Sequence, residues 1–68
     1  MFDFGNLLKE LREEREISQM QLSNLTGISQ SALARYELNR TEPRLSDIRK
    51  LCNVLSISAD YLIGLKDY

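Results

Sequence analysis

Residues Ile17–Glu37 read ISQMQLSNLTGISQSALARYE. Two helix-start signals of the same kind lie in that stretch. Ser18 followed by Gln21 makes a capping box, in which the hydroxyl takes the N–H three residues on and the glutamine side chain reaches back. Ile17 before this cap and Leu22 at the fourth helical position form a hydrophobic staple. The spacing predicts a helix over 19–26, with Leu25 extending its buried side. Gly27 sits where a left-handed residue ends a helix. Ser29 then caps a second helix, predicted over 30–38, and Ile28 with Leu33 repeats the staple. Asn39 can take the left-handed position at its end, where it is next best after glycine.

Two short helices joined by a turn of three or four residues, with glycine at its start, make a helix-turn-helix over about residues 18–38. The tight turn forces a steep crossing, so the second helix projects its outer face while the first braces it. At about 100° per residue, Ala32, Leu33 and Tyr36 of the second helix fall on one side, with Glu37 at the margin. Gln30, Ser31, Ala34, Arg35 and Leu38 fall on the other. Such a polar outer face suits the major groove of DNA. Glutamine pairs with adenine and arginine with guanine through two bonds each, and alanine meets a thymine methyl or lets the backbone approach. A plain solvated face is the alternative, though it would more often carry glutamate and lysine. The residues alone divide these two readings about evenly.

Outward from this core stretch the pattern stays helical. Phe4, Leu7, Leu8 and Leu11 recur at i, i+3, i+4 and i+7, one apolar stripe of a first helix over 4–16 whose far side is charged. After a loop through Pro43, a fourth helix begins at Leu45 or Asp47, with Arg44 or Ser46 at its cap, and ends at Leu55. Ile48, Leu51, Cys52 and Leu55 form its stripe, so Cys52 reads as a small core hydrophobe. A fifth helix over 59–63 is capped by Ser58 and stapled by Ile57 and Leu62. Gly64–Tyr68 reads as a loose tail. No strand-length run alternates apolar and polar residues. The expected fold is all-α: one compact five-helix domain over the 68 residues.

Composition narrows the function classes. One cysteine and no histidine leave no internal disulfide, no cysteine–histidine metal cluster, and neither the commonest general base nor the commonest metal ligand. Glu10, Glu13, Glu14 and Glu16 form a solvated run, not a cleft pair. Nothing resembles a nucleophile with its base or a phosphate loop, so no enzyme, cofactor, metal or small-molecule ligand is expected. Apolar runs are too short for a membrane span, and no signal-peptide pattern opens the chain, so a cytoplasmic location is expected. Net charge is −1, with a pI of about 5.3, which by itself argues against DNA. The distribution argues otherwise: residues 1–34 are acidic by two charges and residues 35–50 basic by two. The basic block begins inside the second helix of the motif.

The stretch from Ile17 to Glu37, followed by NRTEP (Asn39–Pro43) and LSDIRKLCNVLSISADYLIGL (Leu45–Leu65), resembles the Cro and phage-repressor type of helix-turn-helix domain, the XRE-like group. The first helix, FGNLLKELREER, fits as well, so nearly the whole chain is covered. Two features depart from the usual pattern: Asn39 stands where glycine is commoner, and the first helix is acidic. The resemblance implies a lambda-repressor-like fold. It also implies a bacterial or phage transcriptional regulator, a repressor, binding a palindromic double-stranded DNA operator as a homodimer.

In that frame Gln30, Ser31, Ala34 and Arg35 contact bases. Gln19 matches a glutamine that lies against a phosphate and braces the recognition helix. Ser18, Asn39, Arg40, Thr41 and Arg44 are the other candidate phosphate contacts. Arg12 and Glu37 match an arginine and a glutamate that pair across the two helices. Leu38, Ile63, Leu65 and Tyr68 are candidates for the dimer surface. The competing class is a protein-interaction module, such as an antitoxin or adaptor, using the same fold. Salt separates the two, because DNA binding weakens steeply as salt rises and an apolar protein interface does not.

Overall fold

The computed structural model describes residues 1–66; Tyr68, a candidate dimer contact, lies outside the described residues. The elements are α1 (Phe4–Glu14), α2 (Gln19–Thr26), α3 (Gln30–Glu37), α4 (Leu45–Leu55) and α5 (Ala59–Leu62), with no strand among the described residues.

Each helix starts on a local signal. Asp3 caps α1, its carboxylate accepting the Asn6 N–H at 2.9 Å. The capping box of α2 is formed in both directions: Ser18 Oγ accepts from Gln21 N–H at 3.0 Å, and Gln21 Oε1 accepts from Ser18 N–H at 2.7 Å. Ser29 and Ser58 cap α3 and α5 through the N–H groups of Ala32 and Tyr61. At α4 the cap position is Arg44, with no side-chain bond. Helix ends are equally local. Gly27 ends α2 at φ 80°, and Asn39 is left-handed at φ 59° just past α3.

Five expectations need correction. α1 stops at Glu14, two residues early, because the N–H groups of Arg15 and Glu16 turn back to Arg12 and Glu13 carbonyls and Glu16 enters the left-handed region at φ 55°. α3 and α5 each stop one residue early, at Glu37 and Leu62, with Leu38 and Ile63 as their caps. Leu25 is 61% exposed. The buried side of α2 is Leu22 and Thr26, four apart on one face, and Leu25 is rotated about 60° from Leu22 toward solvent. Finally, the described part of the tail is hydrogen-bonded. Gly64 turns at φ 84°, and the N–H groups of Leu65 and Lys66 donate to the Asp60 carbonyl at 2.7 and 3.2 Å.

Burial follows the predicted stripes: Leu8 and Leu11 of α1, Leu22 of α2, Leu33 and Tyr36 of α3, Ile48, Leu51 and Leu55 of α4, and Leu62 of α5, with Ile28 from the turn. Cys52 is half-buried against this core, and the loss of solvation pushes its thiol pKa up. α1 packs on α3 and α5, α2 on α3 and α4, and α4 on α5. α3 is therefore held from both sides. On the α1 side the approach is close enough to require Gly5. A Cβ at that position would sit 2.7 Å from the Tyr36 carbonyl oxygen, and closer still to that of Glu37.

Candidate nucleic-acid interface

The turn between α2 and α3 is built from its own polar groups. Thr26 Oγ1 donates to the Leu22 carbonyl at 2.7 Å and accepts the Ile28 N–H at 3.1 Å, while Ser23 Oγ donates to the Ile28 carbonyl at 2.5 Å. With Gly27 N–H on the Ser23 carbonyl at 2.8 Å, these four bonds tie the turn to the end of α2. The angle of α3 is thereby set before any side chain of α3 is considered.

Three contacts then lock the inner face of α3. Leu33 is fully buried. The Tyr36 hydroxyl donates to Asp47 Oδ2 at 2.5 Å, tying α3 to α4. Burial, and then the neighbouring Asp47 carboxylate, push the Tyr36 phenol above its ordinary pKa. At the end of the helix Arg12 grips Glu37 through Nε to Oε2 at 2.7 Å and Nη2 to Oε1 at 3.1 Å. Arg12 Nη1 also donates to the Ile17 carbonyl at 2.9 Å, and Gln19 Nε2 donates to Glu37 Oε1 at 3.0 Å. Side-chain exposures of 12% for Arg12 and 5% for Glu37 take this pair out of the class of surface ion pairs. The hydrogen bonds to Glu37 hold the Arg12 guanidinium pKa above its usual value.

The outer face of α3 is what remains. Gln30, Ser31 and Arg35 are exposed, Ala34 is half-buried beside them, and Leu38 is 64% exposed at the C-cap. The phosphate candidates divide into committed and available groups. Ser18 is spent on its cap and Gln19 on Glu37. Asn39 turns its side chain onto the start of α1, accepting the Gly5 N–H at 2.9 Å and donating to Asp3 Oδ1 at 2.7 Å. Arg40, Thr41 and Arg44 are exposed, and among the described residues neither these arginines nor Arg35 enters an ion pair.

The apolar candidates divide too. Leu38 lines a hollow with Ala34 and Gln19. Ile63 lines a different hollow with Phe2, Phe4 and Arg40, and is 43% exposed, with Leu65 at 70%.

Sequence reading missed Asp3, Gly5 and Asp47. Asp3 three residues before Asn6 was a legible cap signal. Gly5 and Asp47 gave none, because their partners lie on α3.

The helix-turn-helix family matches residues 8–62. Among curated proteins, the chain is similar to the SPbeta prophage-derived HTH-type transcriptional regulator YonR of Bacillus subtilis, with 35% identity over 60 residues, covering 88% of this chain and 56% of that one. It is similar to the immunity repressor protein of Bacillus phage phi105, with 33% identity over 88% of this chain and 42% of that one. It is also similar to the HTH-type transcriptional repressor RghR of Bacillus subtilis, with 36% identity over all of this chain and 51% of that one. The chain thus spans about half the length of the curated relatives it matches. Among solved structures, the P22 c2 repressor protein in complex with a synthetic operator superimposes with a TM-score of 0.86 and 29% identity, over 91% of this chain and 94% of that one. With the family's pattern matched over most of its length and its turn, caps and clamp in place, the chain belongs to the helix-turn-helix family, in the Cro and phage-repressor group.

Proposed function

We propose that this chain binds double-stranded DNA in a sequence-dependent manner as a transcriptional regulator, with α3 in the major groove, and that it acts as a repressor. The observation that carries the reading is the polar face of Gln30, Ser31 and Arg35, exposed on a helix whose opposite face is locked into the core. A face built only to be wet needs no such fixing. A face that reads base edges needs its helix held in one orientation, since a bidentate pair tolerates little displacement. The likeness to a repressor solved on its operator supports the DNA reading, and the similarity to an immunity repressor supports the sign of regulation.

In this reading Gln30, Ser31, Ala34 and Arg35 meet bases. Arg40, Thr41 and Arg44 meet the sugar–phosphate backbone, joined by the α2 start at Ser18 and Gln19 and by the backbone of Asn39. A single module of this size covers only about 600–1,000 Å² of protein surface on DNA. Two copies on half-sites about 34–36 Å apart would supply the rest and would make the operator palindromic. Ile63 and Leu65 are the apolar groups available for that pairing, with Tyr68 three residues after Leu65 in sequence. Leu38 remains a candidate there, although it shares its hollow with Ala34.

The test is selection of bound duplexes from a random pool. Enrichment of one palindromic sequence supports base reading and two-fold symmetry together. Enrichment of no sequence, with binding indifferent to salt, would overturn the proposal in favour of a protein partner.

A further inference from the structure

We infer that Asn39 is a positioning residue for DNA binding: its side chain ties the end of α3 to the start of α1 and so holds Arg40 and Thr41 in place for the sugar–phosphate backbone. The inference rests on the reading of Arg40 and Thr41 as backbone contacts and adds the group that places them.

Asn39 stands just past α3 at φ 59°. Glycine adopts that left-handed conformation at no steric cost, and asparagine more readily than most other residues. The backbone alone would thus be served best by glycine. What asparagine adds is its side-chain amide, and both ends of that amide are engaged. Oδ1 accepts the Gly5 N–H at 2.9 Å and Nδ2 donates to Asp3 Oδ1 at 2.7 Å, across 34 and 36 positions of the chain. Gly5 N–H is one of the first-turn donors of α1, which have no partner inside their own helix. The next donor, Asn6 N–H, is taken by the same Asp3 Oδ1 at 2.9 Å. Asn39 therefore completes the cap of α1 from the far end of α3.

The group it grips is a firm anchor. α1 approaches the Tyr36 and Glu37 carbonyls closely at Gly5, and Arg12 pairs with Glu37 at 2.7 Å, so the start of α1 keeps a fixed place beside α3. Hydrogen bonds then hold the following loop at its two ends. The Asn39 and Arg40 N–H groups donate to the Tyr36 and Arg35 carbonyls at 3.1 and 2.9 Å, and the Arg44 carbonyl accepts the Ile48 N–H at 3.0 Å as α4 begins. Between these ends, among the described residues, Thr41, Glu42 and Pro43 make no hydrogen bond. Arg40 and Thr41 are exposed and follow Asn39 directly, so the Asn39 anchor sets where their side chains start. A loop fixed in advance is spared part of the ordering that binding requires, worth about three- to tenfold in affinity for one or two side chains.

The experiment is fluorescence anisotropy on a random-sequence duplex of two helical turns at several salt concentrations. The proteins are the wild type, Asn39→Gly, the Arg40→Ala, Thr41→Ala double variant, and the combination of all three changes. Asn39→Gly keeps the left-handed turn and removes only the side chain, and amide hydrogen exchange at Gly5 reports the bond itself. The expected result is faster Gly5 exchange in Asn39→Gly and binding weakened about three- to tenfold. The slope of log affinity against log salt should stay at the wild-type value, since no phosphate contact is lost. In the double-variant background the same change should cost less than about twofold, because residues that act through one another are not additive. A bond that serves only the fold would cost the same in both backgrounds. That equality, or wild-type affinity, a lowered salt slope or unchanged Gly5 exchange in Asn39→Gly, overturns the inference and leaves the α3 reading standing. Absence of salt-dependent binding in the wild type overturns both.

Discussion

Arg12 and Glu37 meet through two hydrogen bonds, at 2.7 and 3.1 Å, across 25 positions of the chain. The pair joins α1 to the last residue of α3, and Gln19 of α2 adds a third donor to the same carboxylate. Three helices thus converge on one side chain that is 5% exposed. Removing one partner leaves the other shielded and uncompensated, which costs about 3–5 kcal/mol for a fully buried pair. With Arg12 at 12% exposure, Glu37→Gln is expected to cost about 3 kcal/mol. In a domain of this size each kcal/mol lowers the melting temperature by about 4–8 °C. Replacing both residues with apolar ones should recover part of the loss, since paired charges offset each other's desolvation. Melting of Glu37→Gln at the wild-type temperature would sink this account of the clamp.

Gly5 and Gly27 are both required, for different reasons, and alanine substitutions separate them. At Gly27 a Cβ meets nothing within 4 Å, but φ is 80°. The cost there is conformational, about 1–2 kcal/mol for a left-handed residue that is not glycine. At Gly5 a Cβ meets two backbone carbonyls of α3. Backbone cannot move aside like the tip of a side chain, so α1 and α3 must separate, at about 3 kcal/mol or more. Chemical denaturation of the two alanine variants should rank Gly5→Ala as the more destabilised. The reverse order would show that α1 and α3 approach less closely than this.

These two glycines also mark how far the sequence can be read. Gly27 is legible because its role is local: a glycine after a capped helix and before a second cap has one conformational use. The same holds for Ser18 with Gln21 and for the apolar stripe of each helix, which is why the five helices and most of the core follow from spacing alone. Gly5 carries no local signal within the first helix, since its reason lies 32 residues away in a carbonyl of α3. Asn39 is legible as a left-handed residue, not as the side chain that reaches back to Gly5. Leu25 misleads because spacings of three and four are both helical, and only the neighbour's position decides which is buried. The site divides along the same line. The polar face of α3 follows from its periodicity. The commitment of Gln19 and Asn39 to internal partners needs the three-dimensional arrangement.

Tyr36 and Asp47 give a pH prediction. The phenol pKa is raised above its unfolded value near 10, first by burial and then by the Asp47 carboxylate that accepts its hydrogen bond at 2.5 Å. A raised folded-state value means that the contribution to stability is complete below about pH 10 and is lost as pH rises through the folded value. Wild-type stability should therefore fall in alkaline solution beyond pH 10, and that of Tyr36→Phe should fall less over the same range. At neutral pH Tyr36→Phe is the less stable protein, because it leaves the buried Asp47 without its donor, at a cost of about 1–3 kcal/mol. Parallel pH curves for the two proteins would rule out this hydrogen bond as the cause.

Arg35 and Arg40 stand at opposite ends of the proposed division between reading and holding. Arg35 lies on the exposed face of α3 among Gln30, Ser31 and Ala34, whereas Arg40 follows the helix in the loop. If Arg35 pairs with a base, Arg35→Ala should cost about 1–3 kcal/mol on the selected operator and relax preference at one position in each half-site. Binding to random duplex should weaken far less than binding to the operator. If Arg40 holds a phosphate, Arg40→Ala should weaken both duplexes by the same factor and lower the salt slope by about 0.9. Measuring both variants on both duplexes distinguishes the roles, since only the Arg35 change narrows the gap between specific and random DNA. If Arg35→Ala leaves that gap intact, α3 does not read its base through this residue, and Gln30 and Ser31 become the positions to substitute next.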